Sequence, residues 1–260
     1  MSPDRPHDGG PAAPPDAGEP LAPVELPLAD ADSVSHSLAI LSTVYHYNHW
    51  IFDTIRDDLG RRIIEVGSGV GNITQFLLNA ERVVCLEPFE PYRDHLRRTF
   101  RQHRNVSVQP CPIEDCPNAY VPAGGFDSVI CPNVLEHIER DVDALRHMAA
   151  LLVPGGRVIV LVPALPALYG EMDRAMGHVR RYTLGELKRK FREAGLHVER
   201  GRYMNLIGAL GWWWQGRVRR RRRIPAGATR TFDRIVPVVS ALERLVPVPL
   251  GQSAVIVGRT

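Results

Sequence analysis

One short segment, residues 65–72, constrains the fold of this chain more than any other part of the sequence. It reads Glu-Val-Gly-Ser-Gly-Val-Gly-Asn, it completes an apolar run at 61–66, and the pattern after it predicts a helix over 72–79. Glycines let the backbone adopt conformations closed to other residues and approach a ligand closely. The segment therefore predicts an α/β domain with a ligand site directly after its first strand.

Strand-like and helix-like segments alternate along the rest of the chain. Predicted strands cover 61–66, 82–86, 105–108, 126–131, 157–162, 197–203 and 254–257, and predicted helices cover 35–59, 72–79, 92–102, 141–152 and 183–194. Alternation at this spacing is typical of βαβ units, and continuous apolar strands are typical of a sheet covered on both faces. The prediction is an α/β, Rossmann-like fold with a seven-stranded, mostly parallel sheet and helices on both faces, plus an N-terminal lid helix and a late helical insertion.

Composition divides the chain into a tail and one domain. Residues 1–33 are rich in Pro, Gly, Ala and Asp and are predicted to be a disordered tail. A single domain is predicted over 34–260. Within it we expect a lid helix, a cofactor-binding core, a substrate loop and an insertion before the last strand, at 34–60, 61–163, 164–182 and 204–252.

Charge and cysteine content exclude several classes of protein. The formal net charge of +3 over 260 residues does not indicate a nucleic-acid binder. The four cysteines have no spacing typical of zinc ligands, so no metal site is predicted, and unpaired thiols fit a reducing compartment. No secretory signal or membrane span is predicted from the sequence. We expect a cytoplasmic protein, with peripheral membrane association as the alternative.

The glycine spacing separates two kinds of ligand. A dinucleotide site uses Gly-x-Gly-x-x-Gly, whereas here Gly67, Gly69 and Gly71 alternate and Asn72 stands at the position of the third glycine. Glu65 is costly to bury unless it helps to hold a cation or a hydrogen-bond network. This pattern favours a cationic ligand over a pyrophosphate.

Five ordered motifs resemble the class I S-adenosylmethionine-dependent methyltransferases. They are the glycine loop, Glu87 at the end of the second strand, Phe126-Asp127-Ser128-Val129-Ile130, Asn133-Val134-Leu135-Glu136-His137-Ile138, and Leu151-Leu152-Val153-Pro154-Gly155-Gly156. The resemblance implies that S-adenosylmethionine is the cofactor and that Glu87 binds its ribose hydroxyls. The implied cofactor-binding residues are Glu65, Gly67, Ser68, Gly69, Gly71, Asn72, Glu87, Ile113, Glu114 and Asn133.

The chain departs from the family pattern at the adenine end. The family usually has Gly-Asp after the third strand, where this chain has Cys111-Pro112. The backbone amide of Ile113, or a carboxylate from Glu114 or Asp115, remains as the candidate adenine contact.

The segment after the fifth strand resembles a narrower bacterial group of the family. Its marks include Leu168-Tyr169-Gly170 and Gly177-His178-x-Arg180-Arg181-Tyr182. His178 is the candidate general base because imidazole titrates near neutral pH, and His137 is the second candidate. A purely structural role, in which Asp173 or a carbonyl pins His178, is the alternative. Candidate substrate-binding residues are Tyr47, Trp50, Tyr169, Arg180, Arg181 and Tyr182, although the two arginines also have Asp173 and Glu186 as potential partners.

The insertion contains three tryptophans at 212–214, followed by Arg217 and by arginines at 219–223. Indoles beside cations suit a membrane surface or a lipid phosphate. The alternative is a purely structural one, in which the tryptophans form a packed aromatic turn and the arginines a solvated basic loop. Single-stranded nucleic acid is the least favoured partner.

The sequence thus predicts an S-adenosylmethionine-dependent methyltransferase that acts on oxygen or nitrogen of a small or lipid-linked metabolite. Two alternatives remain open. The first is an NAD-dependent oxidoreductase, because Glu87 also stands where a dinucleotide-binding acid would. The second is a non-catalytic binding protein on the same fold.

Overall fold

The computed structural model describes residues 33–117, 120–122 and 124–260, so the predicted tail lies outside it except for its last residue. The seven strands are β1 (Arg62–Val66), β2 (Arg82–Leu86), β3 (Val106–Gln109), β4 (Phe126–Pro132), β5 (Leu152–Pro163), β6 (His197–Met204) and β7 (Ser253–Arg259). The α-helices are α1 (Ser33–Leu41), α2 (Tyr45–Ile55), α3 (Glu90–Thr99), α4 (Asp141–Ala150), α5 (Glu171–Ala175), α6 (Leu184–Glu193), α7 (Leu206–Trp213) and α8 (Ala226–Leu245).

The strands form one sheet in the order β3-β2-β1-β4-β5-β7-β6. Neighbours from β3 to β5 run parallel, and β7 runs antiparallel to both β5 and β6. A hydrophobic cluster lies on each face of the sheet, as the continuous apolar strands require. The predicted seven-stranded, mostly parallel Rossmann-like sheet is confirmed.

The predicted lid helix is two helices. Ser42 and Thr43 lie between them and donate their hydroxyls to the carbonyls of Ala39 and Ile40, a local pairing that competes with helix continuation. Helix α1 then packs near the glycine loop, where the Leu38 side chain lies 3.4 Å from the place of a β-carbon on Gly69. The N-terminal segment therefore covers the predicted cofactor loop with α1 and joins the core with α2.

The helix predicted over 72–79 is wrong, since only a single 3-10 turn, Thr74–Phe76, forms there. The amide of Asn105 donates hydrogen bonds to the carbonyls of Leu78 and Ala80, so the chain is fixed in a turn that leads into β2. The segment 163–182, predicted as a loop, contains the short helix α5 and a 3-10 turn at Pro166–Leu168.

The late insertion consists of α7, one π-helical turn at Trp214–Val218, and the long helix α8. Helix α8 returns the chain to α2, where the Asp233 carboxylate accepts the backbone N–H of Tyr47 at 2.8 Å. Its Glu243 carboxylate accepts the N–H groups of Asn205 and Leu206 at the start of α7. Two acids of α8 thus satisfy amides at helix beginnings, which fixes the insertion over the carboxyl ends of β5 and β6 and the amino end of β7.

Candidate functional site

The glycine loop requires glycine at its first position for two reasons. Gly67, Gly69 and Gly71 have φ angles of 67°, 54° and 89°, a region that other residues rarely adopt. A β-carbon on Gly67 would also lie 2.4 Å from a methyl group of Val134. The N–H groups of Gly67 and Ser68 both reach the carbonyl of Leu86, so the loop turns directly over the end of β2.

Two buried acids stand beside this loop, as the sequence predicts. The Glu87 carboxylate accepts the N–H of Gly69 at 2.8 Å and of Phe89 at 2.9 Å. Burial raises the pKa of Glu87, and these two hydrogen bonds oppose that rise. Glu65 accepts the hydroxyl of Thr74 at 2.5 Å, and its burial raises the pKa to about 7. Both acids hold the loop in shape, and Glu87 is directly in contact with its backbone.

The candidate adenine-binding residues lie after β3. Ile113 is buried in a 3-10 turn, Ile113–Asp115, and the side chains of Glu114 and Asp115 are exposed. Asn133, directly after β4, has a φ of 55° and donates its N–H to the carbonyl of Leu161 at 2.7 Å. Asn72 closes the glycine loop and its carbonyl accepts the side chain of Gln75. The cofactor-binding role of these residues stays a prediction.

A buried charged cluster lies between the turn after β4 and the loop after α5. The Asp173 carboxylate accepts the Nε–H of Arg181 at 2.7 Å and faces Nδ1 of His178 at 3.0 Å. Although burial raises the pKa of Asp173, its hydrogen bond with His178 and the charge of Arg181 hold that pKa below the ordinary value. Asp173 therefore orients His178, which is the pinning arrangement named as an alternative above.

Glu136 completes this cluster, and the candidate set from the sequence omits it. Its side chain is 0% exposed, and neither carboxyl oxygen has a hydrogen-bond partner among the described residues. Burial raises its pKa to about 7, opposed by the nearby charges of His178 and Arg181. The signal that would have found it is a Glu-His pair immediately after a buried strand, at the edge where ligands of such sheets bind.

His137 occupies the exposed rim of the same cluster. Its Nδ1 lies 3.2 Å from the carbonyl oxygen of Gly177, and its ring meets that of His178 edge-on with centroids 4.9 Å apart. Burial and the neighbouring His178 lower its pKa to about 4. His137 is therefore neutral near pH 7.

The predicted substrate-binding residues divide into two sets. Tyr47 and Tyr169 line two adjacent cavities near the cluster. Trp50 is buried in the core under α2. The other three residues are engaged inside the protein: Arg180 pairs with Asp141, Arg181 pairs with Asp173, and the hydroxyl of Tyr182 donates to Asp141. This placement favours structural roles for Trp50, Arg180, Arg181 and Tyr182, because their polar groups or surfaces already have partners.

Comparison with known proteins agrees with this geometry. A family model described as a methyltransferase domain matches residues 46–200, more than half of the chain. The chain belongs to this methyltransferase family. The class I S-adenosylmethionine-dependent resemblance is thereby confirmed, and S-adenosylmethionine is favoured over the dinucleotide alternative.

Several methyltransferases share parts of the sequence. A ubiquinone biosynthesis O-methyltransferase from Xanthomonas axonopodis pv. citri is 26% identical over 175 residues, which cover 62% of this chain and 70% of that protein. A tRNA U34 carboxymethyltransferase from Syntrophotalea carbinolica is 30% identical over 128 residues, covering 48% and 38%. The chain spans less than half the length of most curated relatives that it matches, for example 45% of the ubiquinone biosynthesis O-methyltransferase from Bordetella avium.

Solved structures extend the likeness to almost the whole fold. A geranyl diphosphate methyltransferase in complex with S-adenosylmethionine superposes with a TM-score of 0.60 at 13% identity, covering 88% of this chain and 91% of the other. An S-adenosylmethionine-dependent methyltransferase from Mesorhizobium loti gives 0.56 at 14% identity, covering 85% and 100%. At this identity the likeness establishes the methyltransferase fold alone.

The late insertion presents both half-buried and exposed indoles. Trp212 stacks on the guanidinium of Arg181, whose central carbon lies 4.8 Å from the ring centroid. Trp213 and Trp214 are about half exposed, and the arginine run at 219–223 is exposed. Among the described residues no helix has the length and apolar character needed to cross a bilayer.

Proposed function

We propose that this chain transfers the methyl group of S-adenosylmethionine to an oxygen or nitrogen atom of a small or lipid-linked metabolite. The observation that carries the proposal is that the glycine loop held by Glu87, a mostly apolar cavity and a buried His178–Asp173 pair share the edge of the sheet where β1, β4 and β5 end. In methyl transfer the cofactor is already activated, so a protein contributes positioning, exclusion of water and removal of the acceptor's proton.

Cofactor binding is tested by calorimetric titration of the full chain with S-adenosylhomocysteine. Glu87→Ala removes the carboxylate that holds the N–H of Gly69 and that the resemblance assigns to the ribose. We expect its affinity to fall at least about tenfold, because charge-assisted hydrogen bonds are worth about 1.5–3 kcal/mol. Glu81→Ala, at the opposite end of β2 and half exposed, is the matched control and should bind as the parent does. Unchanged binding by Glu87→Ala would contradict the proposal.

The acceptor site is proposed to be a cavity of about 260 Å³ between α2, α7 and α8. Two residues of its lining place this cavity in the fold: Asn205 follows the end of β6, and Gln252 precedes the start of the antiparallel β7. Both therefore lie at the edge of the sheet where the parallel strands end, which is where substrates of open α/β folds bind. Most of the lining is apolar, with side chains from Leu41, Val44, Met172, Ile207, Ile224 and Phe232. This lining suits a hydrocarbon part of an acceptor.

A few polar groups in the same cavity lack partners. The indole N–H of Trp212 and the side-chain oxygens of Gln215 and Gln252 are buried without hydrogen bonds among the described residues. Buried polar groups are ordinarily satisfied, so one donor and two acceptors would gain partners if their side chains rotated towards a ligand in the cavity. They favour an acceptor that combines an apolar body with hydrogen-bonding groups.

A second cavity supports an acidic portion of the acceptor. It is lined by Arg174, Arg220 and Arg222 together with Tyr169 and Glu171. The first cavity adjoins it where Met172 approaches Gly216, whose β-carbon position lies 3.4 Å from the methionine methyl group. Guanidinium groups beside an apolar cavity fit a lipid-linked phosphate, and the exposed Trp213 and Trp214 favour contact with a membrane surface.

His178 is the residue that we propose promotes loss of the acceptor's proton. It is nearly buried, Asp173 orients it, and its Nε2 faces Glu136 at 3.9 Å. His137 is less suited to this role because Gly177 occupies its Nδ1 and its pKa is already low.

The acceptor proposal is tested by incubating the chain with methyl-labelled cofactor and a lysate separated into aqueous and lipid phases. We expect label in the lipid phase. Gly211→Leu fills open space in the cavity from α7, and it should retain S-adenosylhomocysteine binding while losing transfer. Gly185→Leu, a helical glycine in α6 with equally open space, is the control. Label confined to aqueous molecules, or full transfer by Gly211→Leu, would contradict the lipid-linked acceptor.

A further inference from the structure

Three potential metal ligands meet where two distant segments of the chain touch. Glu136 and His137 lie in the turn after β4, and His178 lies in the loop after α5. The N–H of Val179 donates to the carbonyl of Glu136 at 2.9 Å, which fixes the two segments together. One ligand atom from each of the three side chains lies within 4.8 Å of the others.

Both histidines are already oriented as metal ligands are. Nδ1 of His178 faces the Asp173 carboxylate, and Nδ1 of His137 faces the carbonyl of Gly177. A carbonyl and a carboxylate only accept hydrogen bonds, so each Nδ1 carries a proton, and in the neutral form of the ring Nε2 keeps a lone pair. A histidine that binds a metal usually donates its other N–H to such an acceptor.

Glu136 supplies the third, independent indication of a cation. It is completely buried, and both of its carboxyl oxygens lack hydrogen-bond partners among the described residues. A buried carboxylate is costly without a counter-charge. The nearest guanidinium, that of Arg181, is hydrogen-bonded to Asp173, and Nε2 of His178 is 3.9 Å away, beyond hydrogen-bond distance.

We propose that Glu136, His137 and His178 bind one divalent first-row transition-metal cation of the Zn²⁺ or Mn²⁺ type. Two imidazoles and one carboxylate are a ligand set that such ions accept, and three protein ligands leave a position for an acceptor oxygen. Ligand atoms about 2.1 Å from a shared cation are about 3–4 Å apart, so separations of up to 4.8 Å contract by about 1 Å on binding. His137, at the exposed rim, is the ligand that moves.

The cation would act next to the cofactor loop. Val134, two residues before Glu136, contacts Gly67 in that loop. A bound cation lowers the pKa of an acceptor hydroxyl, whose proton passes to solvent. The oxygen then forms a bond to the methyl carbon as the sulfur–methyl bond breaks and leaves S-adenosylhomocysteine. This role rests on the proposed function, whereas cation binding itself does not.

With the cation bound, His178 promotes loss of the acceptor's proton as a metal ligand and not as a free base, because a nitrogen that binds a cation cannot also accept a proton. The test uses the full, untagged chain after treatment with a chelator. Titration with Co²⁺, followed by its visible absorption bands and by calorimetry, is expected to show one saturable site. Glu136→Gln and His178→Asn should each weaken Co²⁺ binding at least about tenfold. His147→Asn, at an exposed position of α4, is the matched control and should bind as the parent does.

Folding and cofactor binding are followed separately, by circular dichroism and by titration with S-adenosylhomocysteine. Glu136→Gln is nearly isosteric and should retain both, so its loss of Co²⁺ binding reports on the site alone. No saturable Co²⁺ binding by the parent, or Co²⁺ binding by Glu136→Gln and His178→Asn equal to that of the parent, would overturn the metal site. Metal binding without S-adenosylhomocysteine binding would support the site and contradict the proposed function instead.

Discussion

The two halves of the sheet build their sites from contacts of very different range. In the cofactor half, β1 to β4, the decisive contacts join residues 9 and 18 positions apart, namely Thr74 with Glu65 and Gly69 with Glu87. In the acceptor half, β5 to β7 with α7 and α8, Tyr47 and Asp233 are 186 positions apart. A short motif can therefore specify the cofactor loop, whereas the acceptor cavity depends on packing of the whole chain.

The halves also differ in how they bury charge. The cofactor half buries two acids that accept hydrogen bonds from a hydroxyl and from backbone amides. The acceptor half buries the ion pair of Asp173 with Arg181 and places Glu136 beside it. Breaking a buried ion pair leaves an uncompensated charge, so substitutions in the acceptor half should affect stability most.

The largest effect is expected for Asp173→Ala. Both Asp173 and Arg181 have fully buried side chains, so the variant leaves the guanidinium without its partner. We expect a loss of about 3–5 kcal/mol in the free energy of unfolding, measured by urea denaturation. Asp143→Ala, which breaks partly exposed pairs with Arg140 and Arg146, is the control and should cost less than about 1 kcal/mol. If the two variants lose similar amounts of free energy of unfolding, the buried ion pair of the acceptor half contributes no more to stability than exposed pairs do.

A smaller loss of stability, together with a loss of affinity for S-adenosylhomocysteine, is expected for Gly67→Ala. The variant combines an unfavourable φ of 67° with a β-carbon 2.4 Å from Val134, so we expect a loss of about 2–4 kcal/mol. Gly155→Ala has a similar φ of 79° but no atom within 4 Å, and it should cost only about 1 kcal/mol. Titration with S-adenosylhomocysteine should show lost affinity for Gly67→Ala alone. If Gly67→Ala retains its affinity for S-adenosylhomocysteine, the added β-carbon can displace the glycine loop without loss of the ligand.

The range of contacts explains what the sequence could predict. Strand β2 has the predicted bounds, and β1 begins one residue later than predicted, because continuous apolar runs report burial directly. The helix predicted over 72–79 is reduced to one 3-10 turn, and Asn105, a residue from outside the segment, holds the carbonyls of Leu78 and Ala80 in the turn that follows.

The candidate sites, like the strands and helices, could be predicted only where their contacts are local in the sequence. His178 was found by residue type, and Asp173 entered as a potential partner, but the sequence could not show that Glu136 meets them. That contact depends on how the loop after α5 folds against the turn after β4. The cavity lining likewise draws on residues from Leu41 to Gln252, which no local motif brings together.

The third prediction concerns the pH dependence of stability that arises from Glu65 in the cofactor half. Burial raises the pKa of Glu65 from 4.5 to about 7, so the folded chain without ligand favours the protonated acid. The folded state therefore binds more protons than the unfolded state between those values, and stability from this group falls as pH rises from about 4.5 to 7. The whole shift corresponds to about 3 kcal/mol. Urea denaturation at pH 5 and pH 7.5 should show Glu65→Gln losing less stability than the parent; equal losses would contradict a raised pKa.

The smallest effect on stability, in the acceptor half, is expected for Leu210→Ser combined with Trp214→Ser. These side chains are 64% and 47% exposed, so the free energy of unfolding should change by less than about 1 kcal/mol. Sedimentation with vesicles containing phosphatidylglycerol should nevertheless show binding reduced at least about a hundredfold, because each of the two apolar side chains that enters a membrane contributes about 1.5–3 kcal/mol. Val179→Ser, 44% exposed outside the insertion, is the control.

Binding of the parent to these vesicles should weaken with salt, since the arginines at 219–223 attract anionic lipid. If the double variant and the control bind vesicles equally, the exposed indole and leucine have no role at a membrane, and the acceptor half would be specialised only for its internal cavity.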